Sequence, residues 1–159
     1  MKLKLKGKFR VQHIRDGKVI GEFNFHNDIT DVGVNYLLET GFHNGTKTTP
    51  WYIGLIDNAG TPTEHPADTM ASHVWTEFKD YSEGARQTWL CNTAGGRAII
   101  NTSVATFTIN GTGVVYGLFL VAASEWTDAS SLLWCTGAFT APRSVVAADT
   151  IKVIYSLDA

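Results

Sequence analysis

Two cysteines and four prolines in 159 residues leave little material for a disulfide scaffold or a proline-rich linker. Cys91 and Cys135 have no CxxC spacing, so they read as free, buried core residues and not as a bridge or a redox pair. No apolar run approaches the roughly 20 residues that span a bilayer, and the alternating start has no continuous apolar signal segment. Synthesis in the cytoplasm, without a membrane partner, is the expectation. Charged residues make up only 18% of the chain, against 44% hydrophobic, a balance that argues for a packed core and against disorder.

The motifs of common chemistries are missing too. There is no GxSxG around Ser82 or Ser124 and no HExxH, and "NTAGGRA" lacks the Walker lysine. Asp57, Glu64, His65, Asp68 and His73 offer metal-ligand atoms in one polar stretch, but not at the spacing of a zinc or EF-hand site. Glu77, Asp80 and Glu83 are carboxylates whose spacing does not by itself make a glycosidase pair. The expectation is no catalytic residue, no metal and no cofactor. The acceptor patterns at Asn44, Asn101 and Asn110 read as turn chemistry.

What is present is strand patterning. Net charge is only −2, yet Met1 to Lys18 carries seven of the 13 Lys and Arg against one acid. In "KLKLKGKFRV", Lys2, Lys4, Lys6, Lys8 and Arg10 alternate with Leu3, Leu5, Phe9 and Val11, the period-two pattern of a half-buried strand. Its cationic face is either a solvated face or a docking surface for an acidic partner. Asp16-Gly17 then signals a tight turn, so residues 1–26 form a basic N-terminal β-hairpin. The pattern next changes to a short helix over about residues 31–40, with Thr30 or Asp31 as N-cap and Gly41 as terminator.

From Trp51 onward the chain reads as short strands between turns. "WYIGLI" is a buried strand in which Gly54 marks a close backbone approach, and "VVYGLFLV" suits a central strand covered on both faces. "SVATFTI", "LLWCTGAF" and "TIKVIYSL" complete the set, while a long polar loop follows Asp57 and contains one helical turn at most. These features predict one all-β domain over 1–159, an antiparallel β-sandwich or jelly roll with one short helix. Of the five tryptophans, Trp51 and Trp134 read as core. Trp75, Trp89 and Trp126 lie near loops and are either core residues as well or an exposed platform for a sugar ring.

The blocks "NDITDVGVNYLLETGF", "WYIGLIDNAG", "ADTMASHVWTEFKDYSEGARQTW", "ATFTINGTGVVYGLFL" and "DTIKVIYSLDA", in this order, resemble a family of small β-rich virion structural proteins of tailed bacteriophages. The likeness covers most of the chain from Asn27. It implies a protein without enzymatic activity, sited on the capsid as a decoration (cement) protein or associated with the tail or its fibres. The implied partners are the major capsid protein and further copies of the chain, as in a homotrimer at a threefold position, with no nucleic acid and no membrane. Lys2, Lys4, Lys6, Lys8 and Arg10 are then the candidate capsid-docking residues. A host glycan held by Trp75, Trp89 and Trp126 is the alternative.

Overall fold

The computed structural model describes residues 4–159. Two antiparallel sheets face each other, and one helix closes an end. Strand β1 (Lys6–Arg15) turns through Asp16 and Gly17, both at positive φ (50° and 72°), into β2 (Lys18–His26). This is the geometry that a two-residue hairpin requires. The first sheet runs β2-β1-β11-β7, with β7 (Ala98–Ile100) and β8 (Ala105–Thr108) both pairing β11 (Thr150–Asp158). The second runs β3-β10-β9-β4-β5, from β3 (Asp28–Ile29) through β10 (Leu133–Val145), β9 (Gly113–Val121) and β4 (Trp51–Asp57) to β5 (Glu77–Phe78). β6 (Gln87–Trp89) also pairs β4. The all-β sandwich expected from the strand pattern is the fold observed, and β9 and β4 are its buried central strands.

The alternation in β1 sorts its side chains as read: Phe9 and Val11 are fully buried, while Lys6, Lys8 and Arg10 face outward. Phe9 and Val11 meet Tyr155 and Val153 of β11 and, from the opposite sheet, Ile53, Leu55, Leu118 and Leu120. Each of these side chains contributes on the order of 1.5–3 kcal/mol by leaving water. Tyr155 is the hub of this core. Its ring lies 4.7 Å from Phe9 and 5.2 Å from Trp89, and its hydroxyl accepts the Trp134 indole N–H at 3.0 Å. Burial raises its pKa well above the ordinary tyrosine value, so it stays a neutral hydroxyl. Cys135, buried beside it, is pushed up to about 12 by the same burial and is an inert thiol. Cys91 is free but exposed, contrary to the core position expected for it. The chain leaves strand geometry after β6, and Cys91 keeps only an isolated bridge to Asn101.

The helix α1 (Asp31–Phe42) starts where predicted. Thr30 is the N-cap, its hydroxyl oxygen accepting the Gly33 N–H at 3.0 Å while its O–H donates to the Leu133 carbonyl at 2.6 Å. It runs one residue past Gly41, and the His43 N–H closes it on the Glu39 carbonyl. No helix among the described residues is long and apolar enough to cross a membrane.

The 58–76 loop contains no helical turn. Bridges between Thr63 and Val74 and between Thr69 and Ser72 fold it back on itself, and it lies over the outer face of the second sheet. Met70 and Trp75 from the loop pack with Ile56, Phe119, Val121 and Leu133 from the sheet as a second, smaller core. Its centre is a stack: the Phe119 ring covers the Cα of its cross-strand partner Gly54, Trp75 lies on Phe119 at 4.9 Å, and His73 lies on Trp75 at 3.7 Å. The close approach expected at Gly54 is therefore an aromatic ring seated where a Cβ would be.

Candidate docking surface

The outer face of the first sheet has no such cover. Across its strands, Lys8 stands between His26 and Ser156, Arg10 between Asn24 and Ile154, and Gln12 between Glu22 and Lys152, while Lys6 is opposite Asp158. Arg10 donates to Glu22 at 3.0 Å and Gln12 does so at 3.1 Å. These bonds, Gln12's first, draw the Glu22 carboxyl below its usual range. Arg10 is thus partly neutralised by an exposed pair that contributes little stability. Among the described residues, Lys4, Lys6, Lys8 and Lys152 have no salt-bridge partner. A shallow depression of about 140 Å³ lies between Arg10 and Lys152 over Val104 and Ile154, a seat sized for one side chain. Four of the five sequence-derived docking residues therefore gather on one side; Lys2 lies outside the described residues.

β1 is flanked by β2 and β11, so neither of its edges is free to extend a neighbouring sheet. The free edge of this sheet on that side is β2, whose outward residues include Val19 and Ile20.

At the end where β1 begins, a cavity of about 620 Å³ opens between Leu5, Ile29 and the helix residues Val34 and Leu37, with Lys4 and Lys6 at its rim. Helix α1 turns Gly33, Tyr36 and Thr40 toward the sheets. Its apolar residues Val34, Leu37, Leu38 and Phe42 are exposed, Phe42 at 88%. Leu37 and Leu38 stand out because α1 packs on the sheets through Gly33, where a Cβ would come within 2.6 Å of the Trp134 carbonyl, and through Tyr36, whose ring meets Trp51.

The tryptophan platform does not form as a set. Trp75 is 5% exposed and Trp89 6%, so of the two readings left open for them the core one holds and the open sugar-stacking face does not. Trp75 lies between His73 and Phe119 and donates to Asp68 at 3.2 Å, and Trp89 donates to Asn101 at 2.8 Å. Trp126 is half-buried and donates to the Tyr81 hydroxyl at 2.7 Å. Trp75 and Trp126 do line one cleft of about 310 Å³ with His73, Glu77, Lys79 and Asp128. Trp89 belongs to a different, apolar one.

Most of the polar residues weighed for metal or acid–base work are engaged in holding loops. Tyr116 donates to Glu64 at 2.5 Å, Asp68 accepts from Trp75 and from the His65 N–H, and Asp57 accepts from the Ala59 N–H. Glu77 takes both arms of buried Arg86 (2.9 and 3.0 Å), and Glu83 accepts the Thr108 N–H. Among the described residues no three His, Cys, Asp or Glu side chains gather as a metal site requires.

One cluster was not visible in the sequence. His13 is fully buried, and its Nε2 lies 2.8 Å from Asp149, which also takes two hydrogen bonds from Arg15 at 2.7 Å. The Arg15 guanidinium, with help from the Val146 N–H and His13, holds the Asp149 carboxyl well below the usual range despite its burial. The odd position of His13 in β1, in phase with Phe9 and Val11, carried the signal that it points inward.

Among protein families no model matches the chain, and no curated protein matches it.

Proposed function

We propose that the protein is a non-enzymatic virion structural protein of a tailed bacteriophage, a head decoration protein that binds the outer surface of the capsid and stabilises it. The observation that carries this reading is the bare outer face of the first sheet, where Lys6, Lys8 and Lys152 stand exposed or half-exposed without an ion-pair partner while the other sheet's face is covered. A row of unanswered cations on a rigid sheet suits an acidic protein surface, which it orients and draws in. The resemblance of the sequence blocks to small phage virion proteins supplies the kind of surface, the major capsid protein. Binding the assembled shell and not its dispersed subunits stabilises the shell by linkage. The test is to incubate the protein with mature capsids that lack it, then measure occupancy by cryo-EM and the temperature of shell disruption. Ordered density with a raised disruption temperature is expected. Unchanged occupancy after charge reversal at Lys4, Lys6 and Lys8 would sink the assignment of the face.

A second reading, a tail-associated or surface module for a host glycan, draws on the cleft shared by Trp75 and Trp126 with its fringe of His73, Glu77, Lys79 and Asp128. Sugar binding there would change tryptophan emission on titration with host surface polysaccharide. A flat titration removes this reading.

A further inference from the structure

Resting on the proposal that the bare face docks, we infer that the depression between Arg10 and Lys152 seats a single glutamate side chain of the partner's surface. The outward positions of the first sheet line up across its strands. Arg10 stands opposite Ile154, which continues the row to Val104 just before β8, and Gln12 stands opposite Lys152, with Thr106 beyond it. Arg10 and Lys152 are therefore diagonal cross-strand neighbours, a relation at which long side chains reach one another. The depression of about 140 Å³ lies between them, and its floor is Val104 and Ile154.

Charge selects an acid for this seat. Arg10 spends its Nε and Nη2 on Glu22, which Gln12 also holds and which lies toward β2, away from Ile154. The Arg10 Nη1 has no hydrogen-bond partner among the described residues, and Lys152 has no salt-bridge partner there. One carboxylate entering over Ile154 answers both cations at once. The floor selects the kind of acid. Val104 and Ile154 are aliphatic, so the group that fits carries methylenes beneath its charge; glutamate brings two and aspartate one. A phosphate brings none, and Glu22 and Asp158 on the same face repel a uniformly anionic surface such as a nucleic acid or an acidic membrane. Val104 is 46% exposed, and Ile100, opposite Ser156 on the same face, is 41% exposed. A protein partner that covers them expels water around the carboxylate and strengthens its attraction to Arg10 and Lys152. An apolar floor within a charged rim is the anatomy of an interface centre.

Two measurements test the seat, the first without capsids. The full chain is titrated at low ionic strength with N-acetyl-glutamate methylamide and followed by methyl NMR. Saturable shifts are expected at Val104 and Ile154, while the glutamine analogue and inorganic phosphate leave these methyls in place. Lys152→Met keeps the aliphatic stem and removes the charge, so it should weaken the probe about fivefold at an unchanged thermal midpoint. Shifts that are absent, or as large with glutamine or phosphate, would overturn the seat. The second measurement applies a zero-length carbodiimide, which joins amines to carboxylates, to capsids carrying the protein, with the products read by mass spectrometry. Lys152 joined to a glutamate of the shell is expected, and Lys152→Met should lower capsid affinity about tenfold. Occupied capsids on which Lys6 or Lys8 couples and Lys152 does not would overturn the seat. Bare capsids beside a free chain that binds the probe would strike the capsid reading and uphold the seat.

Discussion

The outer face of the sheet that contains β4 lies under the 58–76 loop, with Trp75 and Met70 pressed on Phe119, whereas the outer face of the sheet that contains β1 meets solvent with Lys6, Lys8 and Arg10. Both faces belong to antiparallel sheets in the same sandwich. The difference arises from residue type at the outward positions of the strands. Tyr52, Ile56, Phe119 and Val121 would expose a large apolar patch and so need a lid, while lysines are well hydrated and need none. The covered face is therefore committed to folding. The uncovered one is available to a partner.

The sharpest way to break this contrast is to remove the lid's anchor. Trp75→Ala should cost about 3–5 kcal/mol in chemical denaturation, because it empties the space between His73 and Phe119 and removes one of the two donors to Asp68, leaving the His65 N–H. Gly54→Val comes next, at about 1–3 kcal/mol, since its side chain would contend with the Phe119 ring for the same volume. Acid should act on the uncovered sheet through Asp149. Its folded pKa is depressed, so its contribution is fully present above the ordinary carboxylate range and is lost as pH falls through that range toward the native value. Asp149→Asn should flatten the acid limb of the stability profile measured by thermal melts from neutral pH downward. The smallest effect belongs to the bare face: Lys6→Glu with Lys8→Glu should move folding stability by no more than about 0.5 kcal/mol while abolishing capsid occupancy.

Period-two alternation was enough to sort β1 into a buried Phe9–Val11 face and an exposed lysine face, and the Asp16-Gly17 turn and Thr30 cap were legible from local chemistry alone. The lid was not legible, because the stack of His73, Trp75, Phe119 and Gly54 joins segments far apart in the chain. Loop position left Trp75 open to either a core or an exposed reading; the apolar outer face of β4 and β9 claims it for packing. His13 and Asp149, 136 positions apart, escaped for the same reason. Helix α1 was legible as a helix, but not how it meets the sheets: it touches them through Gly33 and Tyr36 and leaves Leu38 and Phe42 outside.

The most direct test of the contrast between the two faces is lysine acetylation read by mass spectrometry, comparing the free protein with the protein bound to capsids. The bare sheet as the docking face predicts that Lys6, Lys8 and Lys152 become protected while Lys79, on the cleft beside the lid, reacts as in the free protein. Protection of Lys79 with Lys6 and Lys8 still reactive would contradict it and place the partner on the opposite side of the molecule.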